Sequence, residues 1–167
     1  MKKIDLNRMK RLIFMLGMLI FAACSSAQNT PPVLAPFKIQ KVDNTYATPA
    51  NLQKGKPVIL IYFSPDCGHC TAMMDEMKPV MNQLKKFEVV MVTFVDIRMV
   101  KPFYEKYNLK NYPNFTVGTE GYSYVVQKYY GLKQTPYVAI YDAKGQLVKA
   151  FDKVPEFKTV METIKKV

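Results

Sequence analysis

Pro57-Val58-Ile59-Leu60-Ile61-Tyr62-Phe63-Ser64-Pro65-Asp66-Cys67-Gly68-His69-Cys70 is the stretch on which the reading of this chain turns. It opens as an apolar, partly β-branched run of strand length. After it, Thr71 to Lys86 contains no glycine and repeats apolar residues at helical spacing. The two cysteines therefore stand where a strand turns into a helix. The first N–H groups of a helix have no partners, and with the helix dipole they favour an anion lodged there. A thiolate is such an anion. Cys67 is expected to carry a depressed pKa, and His69, when protonated, adds a positive charge that favours the same ionised form. Cys70, one turn on, should point back under the first turn, within reach of a mixed disulfide formed by Cys67.

Cys-x-x-Cys also serves zinc, covalent haem and structural disulfides, and each of these lacks a part here. Zinc needs four ligands, but the chain has three cysteines and a single histidine, which lies inside the motif. Haem attachment needs His directly after the second Cys, where Thr71 stands. The expectation is a redox dithiol with no metal and no cofactor.

Tyr62 to Cys70, taken with Thr135-Pro136 far downstream, resembles a thioredoxin-fold thiol-disulfide oxidoreductase of the secreted or lipid-anchored TlpA/ResA-like group. Gly68-His69 is the dipeptide seen in protein disulfide isomerases. The resemblance spans residues 37–167 and implies an α/β fold, a mixed sheet with helices on both faces. It also implies that Cys67 is the nucleophile and Cys70 the resolving thiol, with Gly68, His69 and Asp66 modulating them. Pro136 is implied to be cis, leaving the Thr135 backbone free to pair with an extended substrate segment. The partners implied are exported protein thiols or disulfides and a membrane redox partner.

This sequence departs from the family's pattern at three places. Ile61 stands where a buried carboxylate often precedes the first cysteine, and Met73 where some anchored relatives carry a Glu. Asp66 replaces the usual Trp, and its carboxylate opposes part of the pKa lowering at Cys67. Asp75 and Glu76 are expected on the solvated helix face. Two rival readings are a binding protein whose dithiol is incidental or structural, and a thiol peroxidase. The peroxidase reading would want Pro seven residues before the reactive Cys, where Leu60 stands.

The N-terminal end reads as an export signal: a basic start to Arg11, an apolar run from Leu12 to Phe21, then Ala22, Ala23 and Cys24. Phe21-Ala22-Ala23-Cys24 resembles a bacterial lipobox, with Cys24 as the lipidated residue and anchor. The other readings are cleavage after Ser25-Ser26-Ala27 and a retained anchor helix. All three export the domain, with the periplasm as the expected site. Residues 1–23 are thus assigned to a signal, 24–36 to a flexible tether and 37–167 to one domain. Of the formal charge of +11, the basic start carries +4 net of Asp5, leaving +7 beyond it. The remaining lysines are scattered, with no nucleic-acid motif, and are read as solvated surface. Without Cys24, the domain keeps only Cys67 and Cys70, a pair suited to an exported compartment.

Within the domain, Phe37 to Val42 alternates as an edge strand does. The helix after the dithiol buries Met73, Met74, Met77, Met81 and Leu84 on one face, as core rather than as metal ligands, and Pro79 is expected to kink it near Asp75. Glu88 to Asp96 reads as a strand, Val100 to Tyr107 as a short helix, and Tyr112 to Gly118 as a brief extended segment. Tyr122 to Tyr130 reads as a helix ending at Gly131, its tyrosines as packing and surface. Asp142 to Gly145 turns a hairpin between the strand after Pro136 and Gln146 to Phe151. Pro155 opens a last helix that buries Phe157, Val160, Met161 and Ile164.

Overall fold

Every residue of Val58–Tyr62 is buried, as a strand covered on both faces must be, and this strand is the centre of the molecule. The computed structural model describes residues 30–167. In chain order the elements are β1 (Ile39–Lys41), β2 (Tyr46–Ala47), β3 (Val58–Tyr62), α1 (Gly68–Met77), β4 (Glu88–Thr93), α2 (Ile97–Lys106), β5 (Phe115–Thr119), α3 (Val125–Tyr130), β6 (Tyr137–Tyr141), β7 (Leu147–Phe151) and α4 (Phe157–Ile164). The sheet runs β2-β1-β5-β4-β3-β6-β7. β3, β4 and β5 are parallel, while β6 pairs antiparallel with β3 and with β7. The C-terminal ends of the three parallel strands thus lie together at one edge of the sheet, and the dithiol follows directly from one of them.

Alternate residues of β3 point to opposite faces and into two cores. Ile59 and Ile61 meet α1, α2 and α4 through Met74, Met77, Phe103, Val160 and their neighbours. Leu60 and Tyr62 meet α3 and the N-terminal segment through Val126, Ala35 and Phe37. Helices therefore cover both faces, as the α/β reading requires. Among the described residues no helix is long and apolar enough to cross a membrane.

Several boundaries depart from the sequence reading, each for a local reason. The helix expected through Lys86 stops as α-helix at Met77 and continues over Lys78–Lys86 with tighter 3₁₀ geometry. Pro79, at the start of that stretch, has no N–H to give, so it ends the regular ladder instead of bending it at Asp75. The helix expected over Tyr122–Tyr130 is divided at Tyr124, which has φ 50, leaving a short turn before α3. Gly131 closes α3 at φ 62, the left-handed cap expected there. The strand ahead of the dithiol is no edge: β1 has β2 on one side and β5 on the other. Gly118 of β5 makes that contact possible, since a Cβ there would collide with the Gln40 backbone.

The last residues of the expected tether are bound to the domain. The Ala35 N–H donates to the Tyr130 hydroxyl at 2.9 Å, and Tyr129 and Tyr141 donate to the Val33 carbonyl at 3.1 and 3.3 Å. Three tyrosines of α3 and β6 thus serve as packing and clasp together. The expected signal, Cys24 and the first part of the expected tether lie outside the described residues.

Candidate active site

Phe63, one residue past β3, still donates its N–H to the Val92 carbonyl at 2.9 Å, so the chain leaves the sheet in register with β4. Ser64-Pro65-Asp66 then turns it, and the Cys67 N–H closes the turn on the Ser64 carbonyl at 3.1 Å. Cys67 is the N-cap of α1, with φ −78 and ψ 118. Its carbonyl accepts from the Cys70 and Thr71 N–H groups, both at 3.0 Å. The strand-to-helix placement read from the sequence is the observed one. Both cysteines are free thiols, Cys67 half-buried and Cys70 fully buried. Asp66, Gly68 and His69 are exposed around the mouth.

The second signature closes the site from the other side. The Thr135–Pro136 peptide is cis, Pro136 is buried, and the Cys67 thiol donates to the Thr135 carbonyl at 3.5 Å. Residues 68 positions apart in the chain thereby meet, because β6 pairs with β3 and starts beside its end, Tyr137 opposite Tyr62.

The two thiols have opposite electrostatics. Burial by itself pushes Cys67 up. The Thr135 side chain, the Cys70 thiol and the N–H groups of Cys70 and His69 favour the thiolate more strongly, and the net result lies below the ordinary 9.0. Burial pushes Cys70 up to about 12; a backbone donor at Ser64 offsets part of this, and the neighbouring Cys67 adds to it. Cys70 sits in the apolar core with Ile61, Phe63, Met73 and Met74. Ile61 and Met73 are buried at the two positions where a family carboxylate would stand. Asp75 is exposed and accepts the Tyr107 hydroxyl at 3.0 Å. Among the described residues neither thiol is hydrogen-bonded to a carboxylate.

The sequence reading passed over Glu120. It lies at the end of β5, is 8 % exposed, and accepts from the Tyr62 hydroxyl at 2.8 Å and from the Val126 N–H at 2.7 Å. The Gln127 N–H adds a third bond at 3.3 Å. A carboxylate is thus fixed at the first turn of α3, the helix that leads to Thr135. Its only signal in the sequence was an acidic residue between a β-rich segment and a helix, which is common on any surface. Tyr62 and Cys70 belong to opposite faces of the sheet, so this carboxylate braces α3 and does not touch the dithiol. Among the described residues no group of three or more His, Cys, Asp or Glu side chains is placed to hold a metal ion. The methionine stripe is core: Met73, Met74, Met77 and Met81 are all buried.

Residues 47–165 match the family model of the thioredoxin-like domain. Among solved structures, the chain is similar to a secreted Mycobacterium tuberculosis disulfide oxidoreductase homologous to E. coli DsbE. That likeness has a TM-score of 0.67 and 20 % identity over 79 % of this chain and 96 % of that one. The exposed lipoprotein thioredoxin of Streptococcus pneumoniae is similar with TM-score 0.61 and 22 % identity, over 78 % of this chain and 98 % of its own. A thiol-disulfide oxidoreductase from Bacteroides fragilis follows with TM-score 0.65 and 13 % identity, over 80 % and 98 %. At these identities the likeness is one of fold. No curated protein matches the chain in sequence.

Proposed function

Because the chain belongs to the thioredoxin-like family, we propose that it is a thiol-disulfide oxidoreductase that exchanges disulfides with exported proteins through Cys67 and Cys70. The observation that carries this reading is the asymmetry of the pair: an accessible Cys67 at a helix N-terminus with its thiolate favoured, above a buried Cys70 that holds its proton.

In the reducing direction the Cys67 thiolate attacks one sulfur of a substrate disulfide. A Cys67–substrate disulfide forms, and the other substrate sulfur leaves as a thiolate. Cys70 then attacks Cys67, giving its proton to the departed substrate thiolate, and the second substrate sulfur leaves as a thiolate. The protein ends oxidised by two electrons with a Cys67–Cys70 disulfide, and the substrate ends as two thiol groups, one of them ionised. The oxidising direction reverses these steps. Thr135 offers backbone beside Cys67 to an extended substrate segment, and His69 as imidazolium favours the reduced form. The export signal, a lipid anchor at Cys24, a periplasmic location, a membrane redox partner and membership of the TlpA/ResA-like group belong to the same proposal. The exported relatives of similar fold support it.

Redox titration of the purified protein, with Cys67→Ser as control, tests the reading. A potential near or above about −180 mV assigns an oxidase or isomerase role, and one near about −270 mV a reductase fed by an electron donor. Loss of exchange in Cys67→Ser is expected. A wild-type protein that exchanges with no disulfide would overturn the proposal.

A further inference from the structure

We infer that the tyrosine clasp makes the tether a short leash that leaves the domain at its dithiol end, so that the anchored chain holds Cys67 toward the bilayer and exchanges disulfides with proteins seated in or on the membrane. This deepens the proposed function and rests on its anchor at Cys24.

The clasp is a closed set of bonds over four consecutive residues. The Leu147 N–H donates to the Pro32 carbonyl at 3.1 Å, and the Ala35 N–H to the Tyr130 hydroxyl at 2.9 Å. Tyr129 and Tyr141 both donate to the Val33 carbonyl. Since Tyr141 gives its proton to Val33, Tyr130 donates in turn to Tyr141, 2.8 Å away. Ala35 and Phe37 are buried against the sheet. Release of this segment would strand the Ala35 N–H and expose Phe37, so the clasp is held by both polar and apolar terms.

The direction of exit follows from the partners. Leu147 is opposite Tyr141, at the end of β6 away from the dithiol. Two residues earlier in the chain, Thr30 lines a cleft with Gln134, Tyr137 and Asp152. Tyr137 is opposite Tyr62, where β3 gives way to the dithiol turn, and Gln134 precedes the residue whose carbonyl meets the Cys67 thiol. The Gln134 amide also donates to the Asp152 carbonyl at 2.9 Å, so all three belong to that end. Traced backward from Pro32 to Thr30, the chain therefore runs toward the dithiol. The cleft at the exit carries Lys128, Lys133 and Lys153 against the carboxylate of Asp152, a balance that suits anionic headgroups.

Lengths decide what this does. Between Cys24 and Thr30 there are six residue steps, which span about 20 Å at most however they are arranged. A domain of this size is about 35–40 Å across. A leash shorter than the domain keeps its exit point near the membrane and the opposite end away from it. Without the clasp the free chain would run from Cys24 to Phe37 and reach about 45 Å, enough for the domain to turn over.

The test uses the full chain in vesicles of phosphatidylethanolamine and phosphatidylglycerol. Thiol labelling by a maleimide on a long polyethylene glycol chain is compared with labelling by N-ethylmaleimide, and the ratio of the two rates reads steric access. The control site is Lys144→Cys, in a chain with Cys67→Ser and Cys70→Ser. It lies on the exposed turn between β6 and β7, at the far end of the sheet. On vesicles the ratio is expected to fall at least severalfold at Cys67 relative to detergent and to hold at Lys144→Cys. A flexible Gly-Ser insertion of about twenty residues after Ala27, adding on the order of 25 Å of reach, is expected to restore the ratio at Cys67. Replacement of Tyr129, Tyr130 and Tyr141 by Phe is expected to act in the same direction with the rings retained. Equal ratios at the two sites, or a shielding of Cys67 that survives either the insertion or the triple replacement, overturns the inference. The intact mass of the chain is read beside these rates. A chain without acyl groups overturns the anchor and this inference together, whereas an acylated chain with an open Cys67 overturns this inference alone. Labelling needs no exchange activity, so these outcomes are separate from the oxidoreductase reading.

Discussion

Cys67 and Cys70 are the same residue three positions apart on one helix, yet they occupy different solvents. Cys67 caps α1 at the mouth of the site, among donors from Thr135, Cys70 and the first helical N–H groups. Cys70 is packed beneath it against Ile61, Phe63 and the methionines of α1. In the first place an anion replaces water with fixed donors; in the second it has apolar contacts and loses free energy on ionising. Two identical thiols thus differ in how readily they ionise, one held by donors and the other by apolar packing.

That contrast predicts a large difference in reactivity. At pH 7 the thiolate fraction of Cys67 is expected to exceed that of Cys70 on the order of a thousandfold or more, since Cys67 ionises below 9.0 and Cys70 near 12. Iodoacetamide labelling of the reduced protein, followed by site-resolved mass spectrometry, measures the ratio. Comparable rates would break the comparison outright.

The apolar side of the contrast has its own test. Met74 is fully buried in the core that holds Cys70. Met74→Ala is expected to cost about 2–5 kcal/mol in urea unfolding, from lost burial plus the cavity left behind. It should also speed Cys70 labelling as water gains entry. A loss well below that range would mean that the core under the dithiol is looser than its burial indicates.

The smallest effect is read in alkaline solution. Unfolded, Cys70 ionises near its ordinary 9.0, whereas folded it holds its proton to about 12. Between these values the unfolded chain sheds a proton that the folded chain keeps, so the contribution of Cys70 is full below pH 9 and is lost as pH rises toward 12. Cys67 has the opposite sign. Its depressed folded value contributes above the ordinary 9.0 and is lost as pH falls through the folded value. Buried Tyr62 and Tyr137 also titrate above their usual range, so the Cys70 part is the difference between reduced wild type and Cys70→Ala. Parallel stability curves for the two proteins above pH 9 would remove the raised Cys70 pKa from the account.

Much of this was legible in the chain because the decisive signals are local. The strand into Cys67 and the helix out of it follow from periodicity and from the absence of glycine after the motif. The capping site at Gly131 follows from its place at the end of an apolar repeat. What escaped were features set by distant partners. The Pro32–Pro36 segment looked like tether because Pro and polar residues dominate its surroundings, but Tyr129, Tyr130 and Tyr141 hold it from positions about a hundred residues away. Glu120 was invisible for the same reason: its partners Tyr62 and Val126 lie on different elements.

By itself the sequence determined the elements that need only near neighbours: an apolar strand, a cysteine at a helix start, a second cysteine one turn on, and a glycine cap at Gly131. Tertiary structure decided how completely Cys70 is buried, that the Thr135 carbonyl accepts from the Cys67 thiol, and that Glu120 reaches Tyr62. The physical reason is range. Helical periodicity and capping act over about one turn of helix, and a reader of the chain can follow them. Desolvation and charge complementarity act through space, and their partners are unknown until the sheet has brought the ends of β3, β4 and β6 together.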